Sequence, residues 1–303
     1  MAVVITNLFS AIPWIGNDLV ESNYLIESIL LSIGNISPHA YKKIKKLDKN
    51  YFFTIPSSFL AMLIGLIDGD GYFLIHKTPK NYIKINLTIS LHINDLPLLQ
   101  YIHSILKLGK ISIYPKIKIC KFIINKTELQ DIFLPLLLYN QIYPLTYKRI
   151  NQFNKVYYIF KNNIKYFYDI PFNISNIFIL PNSCLNYIKL SYFNNWIIGF
   201  TIVEGSFLIK CNNDACFQLK HTKQKYLLES ILLKLKSNKK IYIENNKYSY
   251  FSINSKNEIQ NIINFFSFLG NYPLIGFKLI SYQQWIKSLK NIKRYKDLNF
   301  PNF

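Results

Sequence analysis

Apolar residues along the chain follow helical spacing in some segments and strand-like alternation in others. Residues 57–69 are apolar on nearly every side, which predicts a buried helix. Residues 84–91 then alternate apolar and polar positions, as a half-buried strand does. Residues 96–108 predict an amphipathic helix, and residues 111–124 predict strand structure in which lysines alternate with isoleucines. This succession of helices and strands predicts an α+β unit.

The same pattern occurs twice. Residues 63–75 read LIGLIDGDGYFLI and residues 197–209 read IIGFTIVEGSFLI, at an offset of 134 residues. Later landmarks recur in the same order at offsets of 129 to 130, namely His92 with His221, Pro144-Leu145 with Pro273-Leu274, and Lys148 with Lys278. The chain is therefore predicted to be a tandem duplication of one structural unit.

The repeat predicts two domains joined by a linker. We place the first domain at residues 51–161, the linker at 162–190 and the second domain at 191–303. The linker is rich in Asn, Tyr and Lys and contains two prolines that oppose long helices. Residues 1–50 precede the first copy of the repeat.

The charge of the chain is strongly unbalanced. It has 36 Lys plus Arg against 16 Asp plus Glu, a formal net charge of +20, yet 50% of its residues are hydrophobic. That composition disfavours a disordered basic protein and favours a folded protein with a polyanionic partner, nucleic acid first and an anionic membrane surface second. The sequence has no apolar run of the roughly 20 residues that span a bilayer. The four cysteines fit neither a disulfide scaffold nor a zinc site.

Lysines on alternating strand positions predict two basic sheet faces that bind nucleic acid, mainly through phosphate contacts. The alternative is that these faces are merely solvated. The candidate residues are Lys84, Lys116, Lys118, Lys121, Lys220, Lys223, Lys239, Lys240 and Lys247.

Asp70 and Glu204 each end a predicted buried helix and precede a glycine. A carboxylate at that end of a helix is unfavourable by roughly 0.3–1 kcal/mol, so stability alone does not account for it. Gly65 and Gly69 would let two such helices pack closely, and a pseudo-twofold axis would bring the two acids together. Paired carboxylates suit Mg²⁺ and phosphodiester cleavage. Alternatively, they are helix-end residues that face solvent.

Lys148 and Lys278 also follow the repeat. A lysine near a metal-bound phosphate can orient water or stabilise developing negative charge. They could equally be ordinary surface lysines. His92 and His221 could be ligands, although structural histidines are the more common case.

The segment LIGLIDGDG at 63–71 closely resembles the signature of the LAGLIDADG homing endonucleases, and IIGFTIVEG at 197–205 resembles its looser second copy. The resemblance covers about residues 55–303. It implies two αββαββα-type domains with packed signature helices and saddle-shaped antiparallel sheets that lie on double-stranded DNA. The expected protein is a monomer with internal pseudo-twofold symmetry.

The resemblance also implies site residues. Asp70 and Glu204 would be the catalytic acids and would bind Mg²⁺ with help from the backbone carbonyls of Gly69 and Val203. Lys148 and Lys278 match the basic residues that the family has near its active site.

The second motif departs from the family's pattern at two positions. Ile202 replaces the usual first acid, and Val203 replaces a small residue at the helix contact.

Residues 4–21 resemble an internal segment of cytochrome b, a mitochondrial membrane subunit. This implies an intron reading frame fused to an upstream exon, so residues 1–50 would be exon remnant and leader. Heavy use of residues with A/T-rich codons fits a mitochondrial gene, and we expect the product in the mitochondrial matrix, not in a membrane.

The function implied is site-specific cleavage of both DNA strands in intron homing, together with assistance to splicing as a maturase that binds group I intron RNA. The main alternative is a splicing maturase that has lost DNA cleavage. A basic ribosome- or membrane-associated structural protein is the alternative from a different class.

Overall fold

The computed structural model describes residues 49–222 and 224–303. Almost all of the predicted exon segment and leader, residues 1–50, and the candidate Lys223 lie outside these residues. The first unit contains, in chain order, α1 (Lys49–Phe53), α2 (Ser57–Asp70), β1 (Gly71–Lys77), β2 (Ile83–His92), α3 (Leu96–Leu106), β3 (Lys110–Tyr114), β4 (Ile119–Asn125), α4 (Lys126–Glu128), a π-helical turn (Leu129–Phe133), α5 (Leu134–Tyr139) and α6 (Tyr147–Lys161).

The second unit repeats this order after a connecting segment that contains the short helix α7 (Cys184–Ile188). Its elements are α8 (Phe193–Glu204), β5 (Gly205–Ile209), β6 (Ala215–Thr222), α9 (Lys225–Lys234), β7 (Tyr242–Glu244), β8 (Tyr248–Ile253), α10 (Lys256–Ser267) and α11 (Gly276–Asn291).

Each unit has one antiparallel sheet of four strands in the part of the chain described, with strand order β1-β2-β4-β3 and β5-β6-β8-β7. Alternate residues of the central strands are buried, so each sheet packs one face on helices and leaves the other open. The prediction of a duplicated α+β fold is confirmed.

The strand register corrects one landmark of the repeat. Gly71 pairs with Ile89 in the first sheet, and Gly205 pairs with Leu219 in the second. His221 therefore corresponds to Leu91 and not to His92. The hairpin of β5 and β6 has shorter strands than the hairpin of β1 and β2, so the offset between the copies falls from 134 at Gly71 and Gly205 to 130 at Ile89 and Leu219. A shift of one residue moves a side chain to the opposite face of a sheet.

The prediction that the lysines and isoleucines at 116–119 lie on opposite faces of a strand is wrong. Pro115–Ile117 form a 3₁₀ turn between β3 and β4, and Lys118 follows with a left-handed φ of 52°. Proline lacks the amide hydrogen that a strand ladder needs and favours a turn. Lys116 and Lys118 therefore lie at the tip of a hairpin. In the second unit, β7 and β8 are likewise separated by a turn at Asn245 and Asn246.

Helices α2 and α8 form the centre of the molecule. The apolar side chains of α2 from Phe59 to Ile67 are fully buried, as predicted from their all-round hydrophobicity. A Cβ atom added at Gly65 would lie 2.0 Å from the Trp196 carbonyl oxygen, and one added at Gly199 would lie 1.7 Å from the Met62 carbonyl oxygen. The two helices thus cross in backbone contact that only glycine permits.

The connecting segment packs on the first unit. The Asn154 side chain of α6 accepts hydrogen bonds from the amides of Ile177 and Phe178 and donates one to the Phe178 carbonyl. Phe178 also contacts the rings of Phe153 and Tyr157. In residues 49–222 and 224–303, no helix is both long and apolar enough to cross a membrane.

Substitution of Gly199 with alanine should strongly destabilise the protein, because the new methyl group would overlap the Met62 carbonyl. Overpacking of this kind costs about 1–3 kcal/mol or more in the free energy of unfolding, which urea denaturation measures. Gly270→Asn is the matched control, since Gly270 has open space around it and asparagine tolerates its φ of +66°. Equal denaturation midpoints for the two variants would contradict the backbone contact.

Candidate active site

The two acids that end the central helices lie close together. Asp70 is the last residue of α2 and Glu204 the last of α8, and each is followed by an extended glycine that begins a strand. Burial raises the pKa of Asp70, and the negative charge of Glu204 raises it further. The pairing predicted from the repeat is therefore present in the fold.

A basic residue reaches each helix end. Arg149 at the start of α6 donates from Nε to the Ile67 carbonyl at 3.2 Å and from Nη2 to the Gly69 carbonyl at 3.3 Å. Lys278 at the start of α11 donates from Nζ to the Gly205 carbonyl. Burial lowers the pKa of both cations, while Asp70 and Glu204 act on both to raise it.

The sequence pairing of Lys148 with Lys278 is corrected by this geometry. The register set by Pro144 and Pro273 makes Arg149 the counterpart of Lys278. Lys148 is the preceding, exposed residue and lines the cleft. The sequence offered a signal that was missed: the Pro-Leu landmarks have an offset of 129, which pairs position 278 with position 149.

Asp68, the first acid of the first motif, is fully buried and accepts four hydrogen bonds. Two come from the backbone amides of Leu145 at 2.7 Å and Thr146 at 3.0 Å. The Thr146 hydroxyl and the Trp196 indole donate the others, at 2.5 and 2.7 Å. Burial raises the pKa of Asp68, and these bonds oppose that shift. Asp68 thereby ties the start of α6 to both central helices.

Ile202 takes the place of Asp68 in the second motif and is buried. The second half instead has His221, whose Nδ1 lies 3.1 Å from Glu204 Oε1. The His221 ring packs edge-on against the Phe200 ring, with 4.9 Å between the ring centres. His92 lies at a strand end, where its Nδ1 accepts the Asn94 amide. The histidine that matters to the site therefore occupies a position where the first copy has leucine.

A cleft of about 390 Å³ opens beside Glu204. Both units contribute to its walls. The lining residues are Asp68, Gly69, Thr146, Lys148, Arg149, Val203, Glu204, Lys220, His221, Thr222 and Tyr248.

The donor set suits a hard divalent cation held by few protein ligands. No cluster of three or more His, Cys, Asp or Glu residues that could hold a metal is present in the described part of the chain. Two neighbouring carboxylates with adjacent backbone carbonyls match Mg²⁺, which keeps several waters and completes its shell with substrate oxygens. The Gly69 carbonyl already accepts from Arg149. The ligand roles of Asp70, Glu204, Gly69 and Val203 stay predictions.

The candidate DNA-binding lysines fall into three groups. Lys84, Lys121 and Lys220 lie on strands, and Lys220 pairs with Glu244 at 2.7 Å. Lys116 and Lys118 lie in the turn between β3 and β4, and Lys247 lies in the turn between β7 and β8. The third group lies between α9 and β7: Lys239 Nζ is 3.5 Å from Glu258 Oε2, and Lys240 is exposed. Only part of the set is therefore on alternating strand positions.

Comparison with known proteins gives consistent matches. The profile of the family described as LAGLIDADG endonuclease matches residues 63–182 and 197–289. The chain is 26% identical over 223 residues to the Probable intron-encoded endonuclease aI3 of Dictyostelium discoideum, covering 71% of this chain and 90% of that protein. It is 28% identical over 169 residues to the Uncharacterized mitochondrial protein RF1 of Saccharomyces cerevisiae, covering 52% and 34% respectively.

Solved structures share the fold. I-SmaMI bound to uncleaved DNA target in the presence of calcium ions superimposes with a TM-score of 0.58 at 19% identity, covering 79% of this chain and 93% of that one. Other structural neighbours are meganucleases bound to DNA.

Replacement of Asp68 with asparagine should destabilise the protein by about 3 kcal/mol, because an amide NH₂ would face amide donors in a buried site. Urea denaturation of Asp68→Asn beside the exposed control Asp169→Asn measures this. A difference between the two below about 0.5 kcal/mol would contradict a structural role for the Asp68 bonds.

Proposed function

The chain belongs to the LAGLIDADG endonuclease family, and on that premise we propose that it cuts both strands of a specific DNA duplex. Family membership implies DNA nuclease activity. The observation that carries the proposal is the meeting of Asp70 and Glu204, one acid from each repeat, at the ends of the packed helices. We assign one acid chiefly to each DNA strand.

The two halves would use the same set of groups. Asp70 and Glu204 would hold Mg²⁺ with the Gly69 and Val203 carbonyls, and the ion would supply an activated water and charge stabilisation at the phosphate. Arg149 and Lys278 place a positive charge beside each acid, where it can stabilise the negative charge that develops on the phosphate. Lys148 lines the same cleft and stays a candidate for this role.

The open faces of the two sheets are the proposed DNA surface. Lys84 and Lys121 supply charge in the first unit, and Lys220 does so in the second, where its Nζ lies 5.2 Å from the centre of the Tyr248 ring. Lysines in the hairpin turns and before β7 would extend these faces along the backbone of the duplex. A chain with both halves of the site can act as a monomer.

We further propose that the gene lies in a group I intron of mitochondrial cytochrome b. The relatives include an intron-encoded endonuclease and a mitochondrial protein. The cytochrome b host is supported by the resemblance of residues 4–21. In this organisation residues 1–50 are exon remnant and leader, 51–161 and 191–303 are the two domains, and 162–190 link them in a protein of the mitochondrial matrix.

A maturase role is the second candidate, alongside or in place of cleavage. Exposed lysines continue away from the sheets onto the outer helices, as with Lys155 and Lys161 on α6 and Lys287 on α11. Such charge would suit a group I intron RNA as a second polyanionic partner.

Asp70→Asn and Glu204→Gln should each lower cleavage by roughly 100-fold or more, since each removes a charge required at the reacting phosphate. The substrate is duplex DNA spanning the intronless cytochrome b exon junction, incubated with Mg²⁺. Binding, measured by fluorescence anisotropy, should persist in both variants. Full cleavage by both would refute the assignment of the acids.

The same variants separate the two candidate functions. If Asp70→Asn still stimulates splicing of the intron RNA while it fails to cut DNA, the maturase role is independent of the acids. Tight binding of DNA without cleavage by the unmodified protein would favour the maturase alone.

Arg149→Ala should reduce cleavage more than Lys148→Ala does, because the Arg149 side chain contacts the end of α2. We expect a reduction of roughly 10- to 100-fold for Arg149→Ala. Single-turnover cleavage rates of the two variants decide this, with melting temperatures recorded for each. An equal or larger loss in Lys148→Ala would contradict the assignment of Arg149 as the main cation of the first half.

A further inference from the structure

The start of α11 is held by a residue of the other unit. Asp95, in the short 3₁₀ turn Ile93–Asp95 that follows β2, accepts the backbone amide of Phe277 at 3.0 Å through Oδ1. Phe277 is the second residue of α11, the helix position whose amide an N-cap side chain ordinarily accepts. The residue at the N-cap of α11 is Ile275, which has no side-chain acceptor.

Asp95 does not bond to its own helix through its side chain. It occupies the N-cap position of α3, yet its side chain makes no cap hydrogen bond there. Aspartate at an N-cap normally bonds to its own helix. The side chain is therefore directed to the opposite unit.

The turn that carries Asp95 also lies close to the backbone of α11 at Gly276. A Cβ atom added at Gly276 would lie 3.0 Å from Asp95 Oδ1 and 3.1 Å from Leu98 Cβ, and Gly276 has a φ of +65°. A glycine at the first residue of α11 thus lets the turn of one unit approach the helix of the other.

In the two halves of the site, different acids bond to backbone amides near the start of the helix that carries the basic residue. In the first half, Asp68 accepts the amides of Leu145 and Thr146, the two residues directly before α6, the helix that carries Arg149. In the second half Ile202 cannot do this, and the amide at the start of α11 is accepted by Asp95. The residue that corresponds to Asp95 in the second unit is Lys225, which pairs with Glu229 of its own helix at 3.9 Å.

We propose that Asp95 is a positioning residue of the second half of the active site, which caps α11 from the opposite unit and so holds Lys278 against the end of α8. The second motif has Ile202 where the first has Asp68, so in this half the carboxylate at the start of the later helix comes from the other unit. The proposal rests on the proposed endonuclease function, and it makes the two strands of the target unequally sensitive to this one residue.

The test is strand-resolved cleavage of the cytochrome b junction duplex, labelled separately on each strand, under single-turnover conditions with Mg²⁺. Asp95→Ala should slow the cut made by the Glu204 half by roughly 10- to 100-fold relative to the other cut, so that nicked duplex accumulates. Asp95→Asn should recover the strand balance that Asp95→Ala loses, because its amide oxygen can still accept the Phe277 amide. Asp169→Ala, in the connecting segment, is the control for loss of an acid.

A second measurement asks whether Asp95 acts through Lys278. In a Lys278→Ala background, Asp95→Ala should add less than a twofold further change in the strand ratio, since residues that act as a unit are not additive. Melting temperatures of all variants are measured in parallel.

Equal slowing of both strands by Asp95→Ala, or no slowing, would overturn the proposal. So would a strand imbalance as large in Asp95→Asn as in Asp95→Ala, since that would assign the effect to charge. An additive effect of Asp95→Ala and Lys278→Ala would also overturn it. Failure of the unmodified protein to cut the duplex would count instead against the proposed function or its target.

Discussion

The backbone contact between α2 and α8 is the constraint on which the rest of the structure depends. Gly65 and Gly199 allow each helix to place its peptide groups against those of the other. Because each helix ends five residues beyond its glycine, their last residues, Asp70 and Glu204, are brought to the same place. A helix pair separated by ordinary side chains would cross at 8–10 Å and would spread the two acids. The same glycine contact therefore sets both the packing of the two helices and the proximity of the two acids.

The two halves of the site share a plan but not their contacts. In both, a basic residue from the start of a later helix donates to a carbonyl at the end of a central helix. Asp68 and Trp196 secure that arrangement in the first half, and Asp95 and His221 provide different contacts in the second. After duplication, each half could change its supporting residues independently, provided that the acid and the cation kept their places.

Much of the fold followed from short-range patterns. The all-round apolar segment before Asp70 became the buried helix α2, and the alternation at 84–91 became β2. The predictions from pattern fail where a single residue changes the local backbone structure or the alignment of the two copies. Pro115 forms a turn where the pattern of lysines and isoleucines predicted a strand face. The shorter strands of the β5–β6 hairpin change the offset of the repeat, so that His221, whose ring contacts Phe200, corresponds to Leu91 and not to His92. Periodicity is insensitive to such single-residue shifts, which only the hydrogen-bonded register records.

The sequence by itself determined the duplication, the α+β class, the two acids and the glycines that let their helices meet. These are local features, since they depend on residue type and on spacing within one segment. Only the tertiary structure decided that Arg149 donates to the carbonyls at the end of α2, that Asp68 bonds to residues at the start of α6 and to Trp196, and that Asp95 caps a helix of the other unit. Those contacts join residues 77 to 182 positions apart. Their partners are set by how the two units pack, which no spacing within either segment encodes.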